Sequence, residues 1–278
     1  MLMDQLTEVG AEHPRREAIW MMEAATGLSH AQLIARDDRA MDEDVRADLQ
    51  RMIDRRRKGE PLQYVLGCTY FFGLPFHVDR RVLIPRPETE LLVERALALV
   101  DDGVIQPGAR VLDIGTGSGC IAIAIKHERP TLEVWAVDVS EDALSVARRN
   151  AENLGVHVHF ELADVTNADF AAGLPIFDLI VSNPPYVPAV EAPMLERHVR
   201  DFEPEAALFV DGDPLLFYRH IMSRAAVLSP DCHVLFEGHV DHVGALREVA
   251  PGYGFDSVEI IRDLSGRNRL AHLSKRRL

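Results

Sequence analysis

The chain has 278 residues, which at about 150 residues per domain suggests two domains or one large one. Hydrophobic residues make up 47% and charged residues 27%, an ordinary globular balance that excludes disordered, collagen-like and membrane-embedded classes. Forty-four acids against thirty bases leave a net charge of -14, a field that repels phosphate backbones and counts against a nucleic-acid substrate.

Residues 15–58 read as helical. Ala18, Ile19 and Met22 share a face, Ser29 is placed to cap a short helix, and Val45, Leu49, Met52 and Ile53 recur at spacings of three and four. The opening Met1-Leu2-Met3-Asp4 lacks a basic-then-apolar leader pattern and no run of about 18 apolar residues exists, so a cytoplasmic protein without membrane partners is expected. The basic cluster Arg55-Arg56-Arg57-Lys58 reads as a solvated helix end, and Gly59-Glu60-Pro61 closes the run. Two short strands, within 69–72 and 76–78, flank a turn at Gly73-Leu74-Pro75, and the extended character continues through 79–84. The expected division is a helical domain over residues 1–67, a β-hairpin linker over 68–84 and a second domain over 85–278. Cys68, Cys120 and Cys232 are far apart and form no C-x-x-C pair, so reduced structural thiols are expected rather than a disulfide framework or a zinc site.

In the second domain, strand patterns at 111–114, 134–137, 156–161, 179–182, 233–236, 258–261 and 269–273 are interleaved with helical patterns at 120–127, 141–153, 214–228 and 239–249. Such alternation predicts parallel strands with crossover helices, an open, doubly wound α/β sheet whose ligands bind at the carboxyl ends of the strands.

The first of these strands runs into Gly115-Thr116-Gly117-Ser118-Gly119, and a helix follows at once. Glycines permit the tight turn and let a ligand approach the backbone amides and the positive helix end. Asp138 stands nineteen residues after Gly119, at the end of the next strand, where a carboxylate can accept both ribose hydroxyl protons. Gly117-x-Gly119-x-x-Ala122 also satisfies the dinucleotide fingerprint, so a dehydrogenase and a purely structural turn are alternatives. The G-x-G-x-G register, with Asp113 just before it, resembles the first motif of Rossmann-like methyltransferases that use S-adenosylmethionine. In similar methyltransferases an acid at the place of Asp164 binds the adenine amino group; a surface-loop aspartate is the alternative.

The fourth strand ends in Asn183-Pro184-Pro185-Tyr186. Two prolines stiffen the chain and aim the Pro184 carbonyl in a fixed direction. A planar amide nitrogen is a poor nucleophile, so a catalyst must hold its N–H groups and leave the remaining lobe facing the methyl donor. The Asn183 side-chain oxygen and the Pro184 carbonyl supply two acceptors, and Tyr186 offers a flat face for the amide or for adenine. Alone, the tetrapeptide is equally a turn.

Pro61-Leu62-Gln63-Tyr64-Val65-Leu66-Gly67, Leu83-Ile84-Pro85-Arg86-Pro87-Glu88-Thr89-Glu90, the glycine loop, the Asn183 to Tyr186 turn, Phe202-Glu203-Pro204 and Asp263-Leu264-Ser265-Gly266-Arg267-Asn268-Arg269 together resemble the release-factor glutamine methyltransferases. Pro87 after Arg86 separates the chain from similar enzymes that modify a ribosomal protein and tend to carry serine there. The resemblance implies a Rossmann-like α/β methyltransferase sheet behind a small helical domain that helps recognise the substrate. It implies methyl transfer from S-adenosylmethionine to the side-chain amide of the glutamine in the Gly-Gly-Gln loop of peptide chain release factors. Contacts to the cofactor are implied for Gly115, Thr116, Gly117, Ser118, Gly119, Asp138, Asp164, Val165 and Asn183, and to the substrate amide for Asn183, Pro184, Pro185 and Tyr186. A monomer is expected, with no direct nucleic-acid binding. Val165 stands where a large aromatic is common, Pro214 replaces a glycine and Cys232 replaces another. The alternative function is an N6-adenine or related amino methyltransferase, since Asn-Pro-Pro-Tyr serves any planar amine drawn into a site.

Other features carry less. His239 and His242 are three apart, as a metal pair on a helical turn would be, but no third ligand accompanies them and a solvated helix is favoured, so no metal is expected. His157 and His159 are expected on one face of a strand. Arg86 and Glu88 either line the cofactor entrance or cap the helix beginning near Thr89.

Overall fold

The computed structural model describes residues 2–35, 41–228 and 233–275; Cys232 lies outside them. The amino-terminal part is helical: α1 (Leu2–Glu8), α2 (Pro14–Thr26), α3 (His30–Ile34), α4 (Glu43–Arg57) and α5 (Leu62–Leu66). Leu6, Ala18, Met21, Leu49, Leu62 and Val65 form its small core. Ser29 caps α3 in a reciprocal capping box with Gln32. The short α1 and α5 were not legible as periodic segments.

Arg55 and Arg56 are not a solvated helix end. Arg55 grips Glu60 at 2.9 Å and the carbonyls of Tyr64 and Val65. Arg56 reaches Glu17 at 3.0 Å and the Glu60 carbonyl at 2.7 Å. Glu17 and Glu60 are buried on the other ends of these pairs, so the arginines satisfy carboxylates that the small core encloses.

The hairpin comprises β1 (Cys68–Phe71) and β2 (Leu74–His77). Its turn is Phe72-Gly73, both with positive φ (51° and 74°), rather than Gly73-Leu74-Pro75. Two left-handed residues give the twist that a two-residue hairpin needs, and Pro75 pairs with Tyr70 within β2. Residues 79–82 are not extended: the Asp79 carboxylate accepts the Arg81 N–H at 3.0 Å and its carbonyl accepts the Val82 N–H at 3.1 Å, a local turn that outcompetes a ladder. The Tyr64 hydroxyl donates to the Val82 carbonyl at 2.5 Å, tying α5 to this segment.

Next come α6 (Glu90–Asp101), β3 (Arg110–Ile114), α7 (Cys120–Glu128), β4 (Glu133–Asp138), α8 (Glu141–Leu154), β5 (His159–Leu162) and β6 (Leu179–Ser182). They are followed by the two-residue strand β7 (Val187–Pro188), α9 (Arg197–Arg200), α10 (Glu205–Leu208), β8 (Phe209–Val210), α11 (Leu216–Leu228), β9 (His233–Glu237), α12 (Leu246–Val249), β10 (Ser257–Arg262) and β11 (Asn268–Ser274). Among the described residues the main sheet has seven strands in the order β10-β11-β9-β6-β3-β4-β5. From β9 to β5 all neighbours are parallel, and β11 runs antiparallel to both β9 and β10. Strand order reverses between β3 and β6, so the loops after those strands flank the crevice where doubly wound sheets take their ligands.

Period-two alternation feeds two cores. Val111, Leu179, Val181 and Leu235 face the α6–α7 layer; Leu112, Ile180, Val234 and Phe236 face α11 and α12. Each fully buried aliphatic side chain contributes about 1.5–3 kcal/mol, and all four residues of β6 are buried. None of the described helices is long and apolar enough to cross a membrane.

Three further expectations are corrected. β5 begins at His159 because the Val156 N–H closes α8 on the Ala151 carbonyl at 3.0 Å; His157 precedes the strand, and its ring packs edge-on against that of His159 at 4.7 Å, on the same side. The 239–249 helix is broken: the His239 carbonyl accepts both the His242 and Val243 N–H groups, a turn, followed by a 3-10 segment Val243–Ala245 and then α12. His239 and His242 therefore sit before the helical segments. α11 starts at Leu216 rather than 214, because Asp213 and Leu216 close a turn at 3.0 Å with Pro214 at its second position, a place proline favours. The turn itself thus accommodates Pro214.

Candidate active site

Within the glycine loop the three glycines differ in what they do. All have positive φ, at 75°, 55° and 83° for Gly115, Gly117 and Gly119, a region that L side chains avoid. A Cβ at Gly115 or Gly117 would meet nothing within 4 Å, whereas one at Gly119 would lie 2.8 Å from Ile123 Cδ1 and 3.1 Å from Ala147 Cβ. The first two therefore face open volume, and the third lets α7 and α8 close on the loop. The Gly115 and Thr116 N–H groups both donate to the Val137 carbonyl, at 2.9 and 3.1 Å, pinning the loop to β4.

Thr116 and Ser118 are buried, and the Thr116 hydroxyl donates to Asp113 Oδ2 at 2.6 Å. The Thr116 backbone is spent on the Val137 carbonyl and the Gly119 N–H, and the Ser118 carbonyl on Asn150. Asn150, on α8, was not singled out from sequence: its side chain bridges the Ser118 carbonyl at 2.9 Å and both backbone groups of His77 at 2.8 and 3.0 Å. A buried polar residue on an otherwise apolar helix face was the available signal. Cys120 is a buried free thiol, pushed up to about 12 by burial, so it is not a nucleophile.

Asp138 ends β4 with Oδ2 accepting the Gly117 N–H at 2.8 Å and Oδ1 accepting the Ser140 N–H at 2.9 Å. Burial raises its pKa and the backbone hydrogen bonds pull the other way. Each oxygen keeps a further acceptor position, the capacity that ribose hydroxyls require. Asp113, wholly buried, is pushed up to about 7 by burial, and its Oδ1 has no partner among the described residues. Asp164 follows β5 and binds Thr166 through its N–H at 2.8 Å and its hydroxyl at 2.7 Å, which hold its pKa down. Val165 turns into the core beside Phe170 and Phe177, while its carbonyl accepts from Arg224 at 3.3 Å.

On the other side of the switch point, β6 delivers the Asn183-Pro184-Pro185-Tyr186 turn, anchored by the Ser182 hydroxyl on the Ile114 carbonyl at 2.7 Å. Asn183 is half-buried and Pro184 buried. Asn183 Nδ2 donates to the Thr89 hydroxyl at 3.3 Å. The Tyr186 hydroxyl is pushed up to about 12 by burial, with the Glu237 charge adding to it, so it stays a neutral hydroxyl.

Thr89, Glu237 and Glu203, around this turn, were not assigned to the site from sequence. Thr89 makes no capping bond to α6; its hydroxyl instead accepts the Asn183 amide N–H. Glu237 is pushed up to about 7 by burial, against the Thr89 hydroxyl and the Arg269 charge, and its Oε2 has no partner among the described residues. Arg86 neither caps the helix nor points free: it pairs with buried Glu203 at 2.6 Å, and Glu203 also accepts the Ile84 N–H at 3.2 Å. The Phe202-Glu203-Pro204 segment thus clamps the strand-like approach to α6. Its ring carries a second tie, Arg80 lying 4.7 Å over Phe202.

Open volume before Gly115 and Gly117, spare acceptor positions on Asp138 and an unpartnered buried oxygen on Asp113 suit an adenosyl cofactor bearing an ammonium group. Two solved methyltransferases share the fold. One is from Pyrococcus furiosus, at TM-score 0.51 and 20% identity over 74% of this chain and 91% of that one. The other is the hMettl16 catalytic domain, solved with a 3′UTR hairpin, at TM-score 0.56 and 16% identity over 85% and 83%. Residues 89–223 match the methyltransferase small domain, and the molecule is an S-adenosylmethionine-dependent methyltransferase.

Residues 2–67 match the PrmC N-terminal domain. Curated relatives named release factor glutamine methyltransferase align over nearly the whole chain. The Geobacter sulfurreducens protein is 38% identical over 95% of this chain and 91% of its own; that of Bacillus subtilis is 35% identical over 95% and 92%. The chain belongs to the release factor glutamine methyltransferase family.

Proposed function

We infer that the enzyme methylates the side-chain amide nitrogen of the glutamine in the Gly-Gly-Gln loop of peptide chain release factors. The observation that carries this reading is the Asn183 turn, which offers an amide oxygen and a rigidly aimed proline carbonyl at the sheet's switch point. The Asn183 oxygen accepts one substrate N–H and the Pro184 carbonyl accepts the other, turning the nitrogen's remaining lobe toward the cofactor. Pro185 fixes the direction of that carbonyl, and Tyr186 packs against the amide plane. S-adenosylmethionine, held by the glycine loop, Asp138 and the residues after β5, supplies an activated methyl group. The chain's own contribution is alignment and support for charge moving on the amide, without a strong base.

The helical segment 1–67 is assigned to recognition of the release factor, residues 68–84 to a linker and residues 85–278 to methyl transfer. The Tyr64 to Val82 hydrogen bond and the Arg80 contact with Phe202 support this division by coupling the first segment to the clamp beside the site. The enzyme acts as a cytoplasmic monomer on protein alone. The deciding experiment offers labelled S-adenosylmethionine with an intact release factor, with the same factor carrying alanine at its loop glutamine, and with duplex DNA. Label on the first alone is expected. Label on DNA would replace this reading with an amino methyltransferase of nucleic acid.

A further inference from the structure

We propose that Arg86 and Glu203 are positioning residues for methyl transfer: their ion pair fixes a stiff strap, residues 84–89, whose far end holds the Asn183 side chain. The inference rests on the reading of Asn183 as the amide acceptor, and it adds two residues that act through another.

The strap is stiff by its own composition. Pro85 and Pro87 lock φ at their positions and push the residues before them, Ile84 and Arg86, into extended backbone; Arg86 has φ -99° and ψ 142°. From Pro87 to Thr89 the chain makes a 3-10 turn, closed by the Thr89 N–H on the Arg86 carbonyl at 3.1 Å. A rod of this kind is oriented by whatever grips one end.

Glu203 is that grip. Its side chain is wholly buried and accepts the Ile84 N–H at 3.2 Å and an Arg86 guanidinium N–H at 2.6 Å, so one carboxylate holds the strap by backbone and side chain together. The Glu203 backbone is itself fixed, its N–H donating to the Val199 carbonyl at 3.0 Å. The neighbouring Phe202 ring lies 4.7 Å from the Arg80 guanidinium, which reaches the buried Glu60 carboxylate at 3.3 Å, so the clamp is also braced on the helical segment. At the other end of the strap the buried Thr89, its hydroxyl not spent on capping, takes the Asn183 Nδ2 N–H at 3.3 Å. That bond occupies Nδ2 and leaves Oδ1 for the substrate. A buried ion pair is a poor source of stability, because desolvation cancels much of the attraction; what this pair supplies is a direction.

The test measures kcat, KM, cofactor affinity and melting temperature with an intact release factor for Arg86→Met, Arg86→Met/Glu203→Gln and Arg86→Lys. Arg86→Met leaves the Glu203 charge buried without its partner and is expected to lower the melting temperature. It is also expected to lower kcat by about tenfold or more, since small misplacements at a reacting centre are costly. The double variant removes the unpaired charge, so its melting temperature is expected to recover while kcat stays low, with KM and cofactor affinity near wild type. Arg86→Lys, which keeps the pair, is expected to keep most of kcat. Thr89→Val is expected to lose kcat to a similar extent, and adding it to the double variant to lose no more, because the strap acts through that hydroxyl. Recovery of kcat together with melting temperature in the double variant would make the pair merely structural and overturn the proposal, as would additive losses with Thr89→Val. Asn183→Ala keeps the two claims apart. Full turnover in that variant sinks the amide-acceptor reading itself, whereas its collapse beside wild-type kcat in Arg86→Met/Glu203→Gln sinks the strap alone.

Discussion

The cofactor half of the sheet edge is built from neighbours, and the amide half from strangers. Gly117 meets Asp138 across 21 positions of sequence, within one strand–helix–strand unit whose backbone sets most of the geometry. Asn183 meets Thr89 across 94 positions, and Arg86 meets Glu203 across 117. The first half is a property of local turn chemistry, so it is robust to changes elsewhere. The second depends on where α6, β6 and β9 come to rest, and it holds the buried carboxyl of Glu237 with an oxygen left over.

The sharpest way to separate the halves is Asn183→Ala. It is expected to cut methyl transfer by about 10²–10³-fold, the usual cost of removing one preorganised polar contact at a reacting centre, with cofactor binding by calorimetry largely intact. Parallel loss of binding would merge the two halves into one site.

Gly119→Ala strikes the local half through packing. A left-handed alanine costs about 1–2 kcal/mol, and forcing its Cβ into Ile123 and Ala147 adds about 1–3 kcal/mol. Gly115→Ala faces open volume and suffers only the backbone cost. Urea midpoints for the two should therefore differ, with Gly119→Ala lower; equal midpoints would mean that helix packing does not constrain the loop.

Asp138→Ala comes next in size. Losing the ribose acceptor and the Gly117 and Ser140 anchors is expected to raise the cofactor Kd by about tenfold or more, while turnover at saturating cofactor falls less. An unchanged Kd would remove the ribose role.

The smallest effect is on pH dependence. Asp113 and Glu237 titrate near 7 in the folded chain, whereas unfolded carboxyls titrate near about 4. The folded state therefore holds protons that the unfolded state has released between about pH 4 and 7, so these groups lower stability as pH rises through that window and add no slope above it. Asp113→Asn should flatten the difference between urea midpoints at about pH 5.5 and pH 8. A slope equal to that of wild type would show that Asp113 keeps an ordinary pKa.

What the sequence determined by itself was whatever short-range physics controls. Strand cores such as Leu179-Ile180-Val181 announce burial on both faces, and a strand, a glycine turn and a helix follow one another in the order that the loop requires. Asp138 is legible because its distance from Gly119 is one crossover. The Asn-Pro-Pro-Tyr turn is legible because its stiffness resides in its own residues. The misreadings share one cause, competition by contacts that a local pattern does not contain. Arg55 and Arg56 were drawn to carboxylates that tertiary packing buries, and the 239–249 helix yielded to a turn on the His239 carbonyl.

Tertiary structure alone decided the rest. That Thr89 turns from its helix to Asn183, that Asn150 holds the Ser118 carbonyl, and that Glu203 anchors Arg86 are outcomes of segments meeting in space. A single side chain with a polar tip has many local uses, and only the arrival of a distant partner in a desolvated place makes one of them far better than the others.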